Sequence, residues 1–236
     1  MKPQKAMGKS GADISILHWQ GFRLHMPVRS LTGQAYVFRV NVSDSFVACD
    51  KFEYLLTDKE QARAARYRKL DDYQRFTVGR VALKLLLAKF ANVPANKVVV
   101  QQQGAEKPFT ELPVSFNVSH SGNWVVLAFS ALPVGVDVEF INNHFSYRNM
   151  LPATFHPQEI AYIEQSSNSL EQFYRLWTAK EAWFKKEGAG VAGELWRENM
   201  LQNDSVTCFA VDGRHTAAIA CTGKAGVAAA LDFTIS

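Results

Sequence analysis

The sequence predicts an α+β fold, on three observations. Stretches with the two-residue alternation of strands and stretches with helical spacing occur in both halves of the chain. Of 236 residues, 47% are hydrophobic, ample for a packed core at that length. No uninterrupted apolar run reaches the ~20 residues of a membrane span. The element order is compatible with two similar α+β lobes, although no internal repeat is visible. The expected boundaries are a loose polar tail at 1–12, an N-terminal lobe at 13–132 and a C-terminal lobe at 133–236.

Taken in order, Ala35 to Val42 alternates apolar and polar residues and reads as a strand. Thr57-Asp58-Lys59-Glu60 has the form of a capping box and opens a helix carrying Arg63, Arg66 and Arg68. Asp71 and Asp72 suit the cap of a second helix, running to about Phe90, with Phe76, Leu83, Leu87 and Phe90 as its core stripe. Gly79 within it points to close packing. Val98 to Gln102 reads as a strand and Gly104 to Pro113 as a loop. Ser115 to Val118 leads into a turn, Ser119 to Asn123, and Trp124 to Ser130 and Val136 to Phe140 are strands. Asn142 to Pro152 is polar and irregular. His156 to Gln165 is a helix with Pro157 in its first turn. Leu170 to Glu187 is a strong amphipathic helix stopped by Gly188-Ala189-Gly190, and the chain after Val206 reads as two or three strands with glycine turns.

The charge balance, 26 basic against 22 acidic side chains, is mildly positive. It suits anionic ligands and does not suggest a nucleic-acid binder. Cys49, Cys208 and Cys221 form no CxxC pair and read as free, buried thiols of a reducing compartment. The polar start has no apolar h-region, so a soluble, cytoplasmic protein is expected.

Four features can carry chemistry. In Gly135-Val136-Asp137-Val138-Glu139-Phe140 the alternation puts Asp137 and Glu139 on one strand face, about 6.5–7 Å apart. They are either the solvated face of an ordinary strand or oxygen ligands for a hard cation such as Mg²⁺. On the later helix, Leu170, Phe173, Tyr174 and Trp177 mark the buried stripe, and Glu181 falls about 40° from Trp177. A carboxylate there needs a partner: either Lys185 one turn on, in a structural pair, or a cation shared with Asp137 and Glu139. Ser119-His120-Ser121-Gly122 can cradle an anion or be a self-bonded turn with an ordinary histidine. The Arg63, Arg66, Arg68, Arg75 and Arg80 series reads mostly as a solvated face, with Arg63 and Arg66 singled out as a phosphate-binding edge, and Lys107-Pro108 adds a fixed cation nearby. The same acids would serve a metal-dependent phosphohydrolase or nuclease.

Three stretches then resemble one family in sequence and spacing: Phe116-Asn117-Val118-Ser119-His120-Ser121-Gly122-Asn123-Trp124, Gly135-Val136-Asp137-Val138-Glu139, and Trp177-Thr178-Ala179-Lys180-Glu181-Ala182-Trp183-Phe184-Lys185-Lys186-Glu187-Gly188. The chain resembles the Sfp-type 4′-phosphopantetheinyl transferases over roughly Thr57 to Gly190. The resemblance implies a monomer of two similar α+β lobes related by a pseudo-twofold axis, with coenzyme A bound between them. It implies Asp137, Glu139 and Glu181 as ligands of Mg²⁺, with Mn²⁺ as a substitute. Glu181 would also be the general base for a serine of an acyl or peptidyl carrier protein, and Lys185 would contact the phosphates and stabilise the transition state. Ser119, His120, Lys107, Pro108, Arg63 and Arg66 would contact coenzyme A, and the products would be holo carrier and adenosine 3′,5′-bisphosphate. Glu106 stands where the family's loop has glycine, and Arg63 where a lysine is common. Phe145, Tyr147 and Arg148 are candidate carrier contacts, or part of a loop with no partner.

Overall fold

The computed structural model describes residues 14–15, 17–28, 30–102, 104, 107–188, 194–222 and 226–236. The expected tail, 1–12, and Glu106 lie outside them. Strands are β1 (Ile14–Ser15), β2 (Trp19–Phe22), β3 (Gln34–Asn41), β4 (Ser115–Ser121), β5 (Trp124–Ser130), β6 (Val134–Phe140), β7 (Val206–Ala210), β8 (His215–Cys221) and β9 (Gly226–Phe233). Helices are α1 (Val42–Phe46), α2 (Asp58–Ala64), α3 (Leu70–Ala91), α4 (Leu151–Thr154), α5 (Pro157–Gln165) and α6 (Ser169–Glu187). No helix among the described residues is long and apolar enough to cross a membrane.

The fold is α+β. The described strands form a five-stranded sheet, order β2-β9-β3-β5-β4, and a four-stranded sheet, order β1-β7-β8-β6. One face of each sheet packs on the other around Ala35, Val37, Val126, Val136, Phe209 and Ile219. The outer face of the first sheet is covered by α3, through Phe38, Leu127 and Phe129 against Val78, Leu86 and Leu87. The outer face of the second is covered by α6, through Cys208, Ala218 and Ala220 against Phe173, Leu176 and Ala179. The link Ala131 to Pro133 joins β5 of the first sheet to β6 of the second. β9 returns to the first sheet, between β2 and β3, and β1 lies in the second beside β7.

Local chemistry explains most of the elements. Thr57 and Glu60 cap α2 reciprocally, each side chain meeting the other's backbone N–H. His156 and Glu159 do the same for α5, with Pro157 in its first turn. Gly188, at φ +73°, ends α6 in the left-handed conformation.

Five expectations change. Helix α3 starts after Lys69, so Asp71 and Asp72 lie in its first turn rather than at the cap, where they favour the helix dipole and Asp72 pairs with Arg75. Its buried surface exceeds one stripe, because Val42, Cys49 and Leu55 of the segment 42–55 share its core as well as the sheet. At Gly79 an added Cβ would stand 3.5 Å from Val125, an ordinary contact, so no close approach exists there. Val98 to Gln102 is no strand: its ladder is the single bridge Gln101–Phe109, and Val99 is exposed. Finally, Ser119, His120 and Ser121 extend β4, and the turn shrinks to Gly122-Asn123, with Gly122 at φ +55°.

Candidate active site

Three elements meet where the two sheets touch edge to edge: β4, β6 and the middle of α6. On β6, Val134, Val136 and Val138 point into the core between the sheets, and Gly135, Asp137 and Glu139 point towards α6. The helix comes unusually close. A Cβ on Gly135 would overlap the carbonyl oxygen of Ala182 and stand 2.5 Å from the Lys186 nitrogen. The missing side chain therefore sets how near α6 lies to the two acids.

One row of α6, Trp177, Glu181 and Lys185, one turn apart, lines a cleft of about 460 Å³ together with Ser119, His120, Asp137 and Glu139. All six cleft residues expected from the sequence, from Ser119 and His120 to Glu181 and Lys185, thus share one wall system. Asp137 and Glu181 are buried. Lys185 does not turn back to Glu181; its Nζ lies 2.6 Å from Asp137 Oδ1, which also accepts from Ser119 Oγ at 2.8 Å. The single Ser119 proton is committed to that carboxylate.

The electrostatics are those of crowded anions. Burial and then the Asp137 charge push Glu139 up to about 7, and the same two causes raise Glu181. Asp137 Oδ2 is buried without a hydrogen-bond partner. An orphaned carboxylate oxygen beside two acids that resist ionisation is the donor chemistry of a hard divalent cation. The cage is not preformed: among the described residues no three His, Cys, Asp or Glu side chains are arranged as metal ligands. The Lys185 ammonium neutralises Asp137 instead.

A second hollow shares His120 and Val118 with the cleft and is lined by Arg63, Tyr67, Arg75, Arg80, Gln102 and Pro108. Arg63 also borders an outer cleft of about 680 Å³ with Lys59, Arg66 and Tyr67. Arg63 donates to Gln102 Oε1 at 2.7 Å and stacks over Phe76. Loss of solvent to the cleft walls, then the Arg75 charge, hold His120 below its ordinary value. Adjoining hollows thus place carboxylates at the sheet junction beside cations on α2 and α3. Lys107 departs from this plan. Its Nζ donates to the Val134 carbonyl at 2.7 Å, and burial lowers it to about 8, so it braces the start of β6 while Pro108 lines the arginine hollow.

Sequence reasoning missed Arg75 and Arg80 as residues of the second hollow and Trp177 as part of the cleft. Arg75 is drawn in by Gly122 O at 2.9 Å, a contact only the fold creates. Trp177 shares the helix row of Glu181 and Lys185, a spacing that was available to find it. Phe145 and Tyr147 pack on Phe173, so much of their ring surface serves the second core.

Comparison with known proteins gives consistent matches. Residues 133–226 match the 4′-phosphopantetheinyl transferase superfamily, and residues 48–132 match the 4′-phosphopantetheinyl transferase N-terminal family. A Synechocystis sp. protein provisionally assigned as a 4′-phosphopantetheinyl transferase is 33% identical over 157 residues, 61% of each chain. The 4′-phosphopantetheinyl transferase gsp of Aneurinibacillus migulanus is 31% identical over 136 residues, covering 57% of this chain and 56% of its own. The 4′-phosphopantetheinyl transferase HetI of Nostoc sp. is 27% identical over 170 residues, 69% of this chain and 72% of its own. The chain spans less than two thirds of the first two relatives' length. Two adjoining family segments cover 48–226, and the three motif stretches all fall within them and converge on one cleft; the chain belongs to the 4′-phosphopantetheinyl transferase superfamily.

Proposed function

We propose that this protein transfers the 4′-phosphopantetheine arm of coenzyme A to a serine of an apo carrier protein, with Mg²⁺ held by Asp137, Glu139 and Glu181. The observation that carries the reading is the row of adjoining hollows, with three carboxylates and Lys185 in the first and His120, Arg75, Arg63 and Arg66 in those beside it. The relatives' names support the same activity.

The row of hollows matches a ligand with a diphosphate at one point and another phosphate some distance away. When bound, Mg²⁺ would neutralise charge on the diphosphate and bring the three carboxylates together. Lys185 then exchanges Asp137 for a phosphate oxygen and offsets the charge that grows as the leaving group departs. Glu181 takes the proton of the carrier serine, directly or through water, as the serine oxygen bonds to the β-phosphorus. The bond to the bridging oxygen breaks, and adenosine 3′,5′-bisphosphate leaves. His120, Arg63 and Arg66 hold the outer phosphates. Lys107 steadies β6 in this reading instead of touching ligand.

The two sheet-and-helix units are read as lobes related by an approximate twofold axis, because each carries one long helix on its outer face. A cytoplasmic monomer fits this reading. The test is incubation with coenzyme A, Mg²⁺ and a panel of apo carriers, followed by mass spectrometry. The expected result is addition of one phosphopantetheine to a carrier serine, lost on chelation. Hydrolysis of coenzyme A with no acceptor present would favour a phosphohydrolase and overturn the proposal.

A further inference from the structure

Strand β6 is an edge strand of its sheet, and β4 is the edge of the other. Among the described residues no backbone ladder joins them. Side chains at every second position of β4 close the seam. Asn117 Oδ1 accepts from the Val136 N–H at 2.8 Å, Ser119 Oγ donates to Asp137, and Ser121 Oγ accepts from the Phe140 N–H at 2.9 Å. Ser121 Oγ also lies 3.2 Å from Glu139 Oε2.

We propose that Ser121 is a positioning residue for Glu139, coupling the register of β4 on β6 to the orientation of that carboxylate. A hydroxyl has one proton and two lone pairs. The Phe140 N–H engages a lone pair and fixes the serine rotamer, so the proton is aimed at Glu139 Oε2. One oxygen atom thereby serves as strand clamp and carboxylate guide. Ser121 is absent from the lining of the cleft, so it acts through Glu139 and not by touching substrate. Groups behind a metal ligand typically change metal affinity 10- to 100-fold when removed.

This inference rests on the reading of Asp137, Glu139 and Glu181 as a cation site. The test is Mn²⁺ affinity by electron paramagnetic resonance, without coenzyme A, on the full chain. Ser121→Ala is expected to weaken Mn²⁺ about 10-fold while KM for coenzyme A at saturating metal stays within twofold. Ser121→Thr, which keeps the hydroxyl, is expected to restore affinity. In a Glu139→Gln background Ser121→Ala is expected to have no further effect. Should Ser121→Ala fail to fold, Ser121→Cys, a weaker donor and acceptor, carries the same comparison with an intermediate loss. Unchanged Mn²⁺ affinity in the folded variant, or a full additional loss in the Glu139→Gln background, overturns the inference alone. A wild-type chain that binds no Mn²⁺ overturns it together with the cation-site reading.

Discussion

Replacing Gly135 by alanine adds one methyl group at the point where β6 and α6 touch. That methyl overlaps the Ala182 carbonyl oxygen and stands 2.5 Å from the Lys186 nitrogen, where ordinary contact begins near 3.4 Å. Both obstacles are helix backbone, so no side-chain rotation relieves them. The helix must retreat by about 1 Å or more, at a cost of about 1–3 kcal/mol for overpacking. For a chain of this size that is a fall in Tm of roughly 3–10 °C. The larger effect falls on the cleft. Lys185 Nζ sits 2.6 Å from Asp137 Oδ1, and a retreat of that size takes the pair out of hydrogen-bond range. Misplacing reacting groups by about 1 Å commonly costs ~100-fold in rate. The assay is the single-turnover rate of carrier modification by mass spectrometry, with thermal unfolding alongside. A Gly135→Ala protein that keeps its Tm within about 2 °C and its rate within threefold would refute the argument that this glycine sets the helix position.

Asp137→Asn and Glu181→Gln should each lower the transfer rate ~100-fold or more while circular dichroism stays unchanged; near-normal modification by both would remove the site assignment. Arg63→Ala combined with Arg66→Ala should raise KM for coenzyme A about tenfold with kcat nearly constant, whereas a fall in kcat at constant KM would place these residues elsewhere in the reaction. Glu139 is pushed up to about 7 from an ordinary 4.5, so the folded chain holds this proton more tightly than the unfolded one. Stability should therefore fall as pH rises between about 4.5 and 7, by at most about 3 kcal/mol, and Mg²⁺ should raise Tm more at pH 8 than at pH 5.5. An equal Mg²⁺ shift at both values contradicts this. Lys180→Met should lower Tm by roughly 10 °C, because it strands Glu159, whose Oε2 lies 2.8 Å from Lys180 Nζ with both side chains fully buried. Adding Glu159→Gln should recover part of the loss, and a change under about 2 °C in the single variant would argue against the pair.

The acids were legible in the sequence because both elements that carry them are strictly periodic. The Val136 to Phe140 alternation placed Asp137 and Glu139 on one face, and the stripe through Trp177 turned Glu181 onto the side that meets them. What periodicity could not supply was the neighbour across each face. Helical spacing sets Lys185 one turn from Glu181, yet its ammonium pairs with Asp137 on β6. The resemblance implies a phosphate contact for Lys107, yet its ammonium donates to the buried carbonyl of Val134. The expected turn at Ser119 hid a period-two signal, Asn117, Ser119, Ser121, that is a strand continuing. Polar residues at alternate positions of an edge strand are easily mistaken for a loop when their partners are the side chains and amides of another sheet. The capping boxes at Thr57 and His156 needed no such partner, and the sequence located Thr57 correctly.

The order of the first sheet sets a schedule for assembly. β2 and β3 come within the first 41 residues, but they are not adjacent; β9, residues 226–233, fills the slot between them in parallel with both. A growing chain cannot close that sheet until residue 233 has cleared the ribosome. Until then β3 presents an open apolar edge, the kind of surface that invites pairing with another chain. Expression of this protein should therefore be more sensitive to changes in β9 than its distance from the cleft suggests, with loss of yield preceding any loss of specific activity.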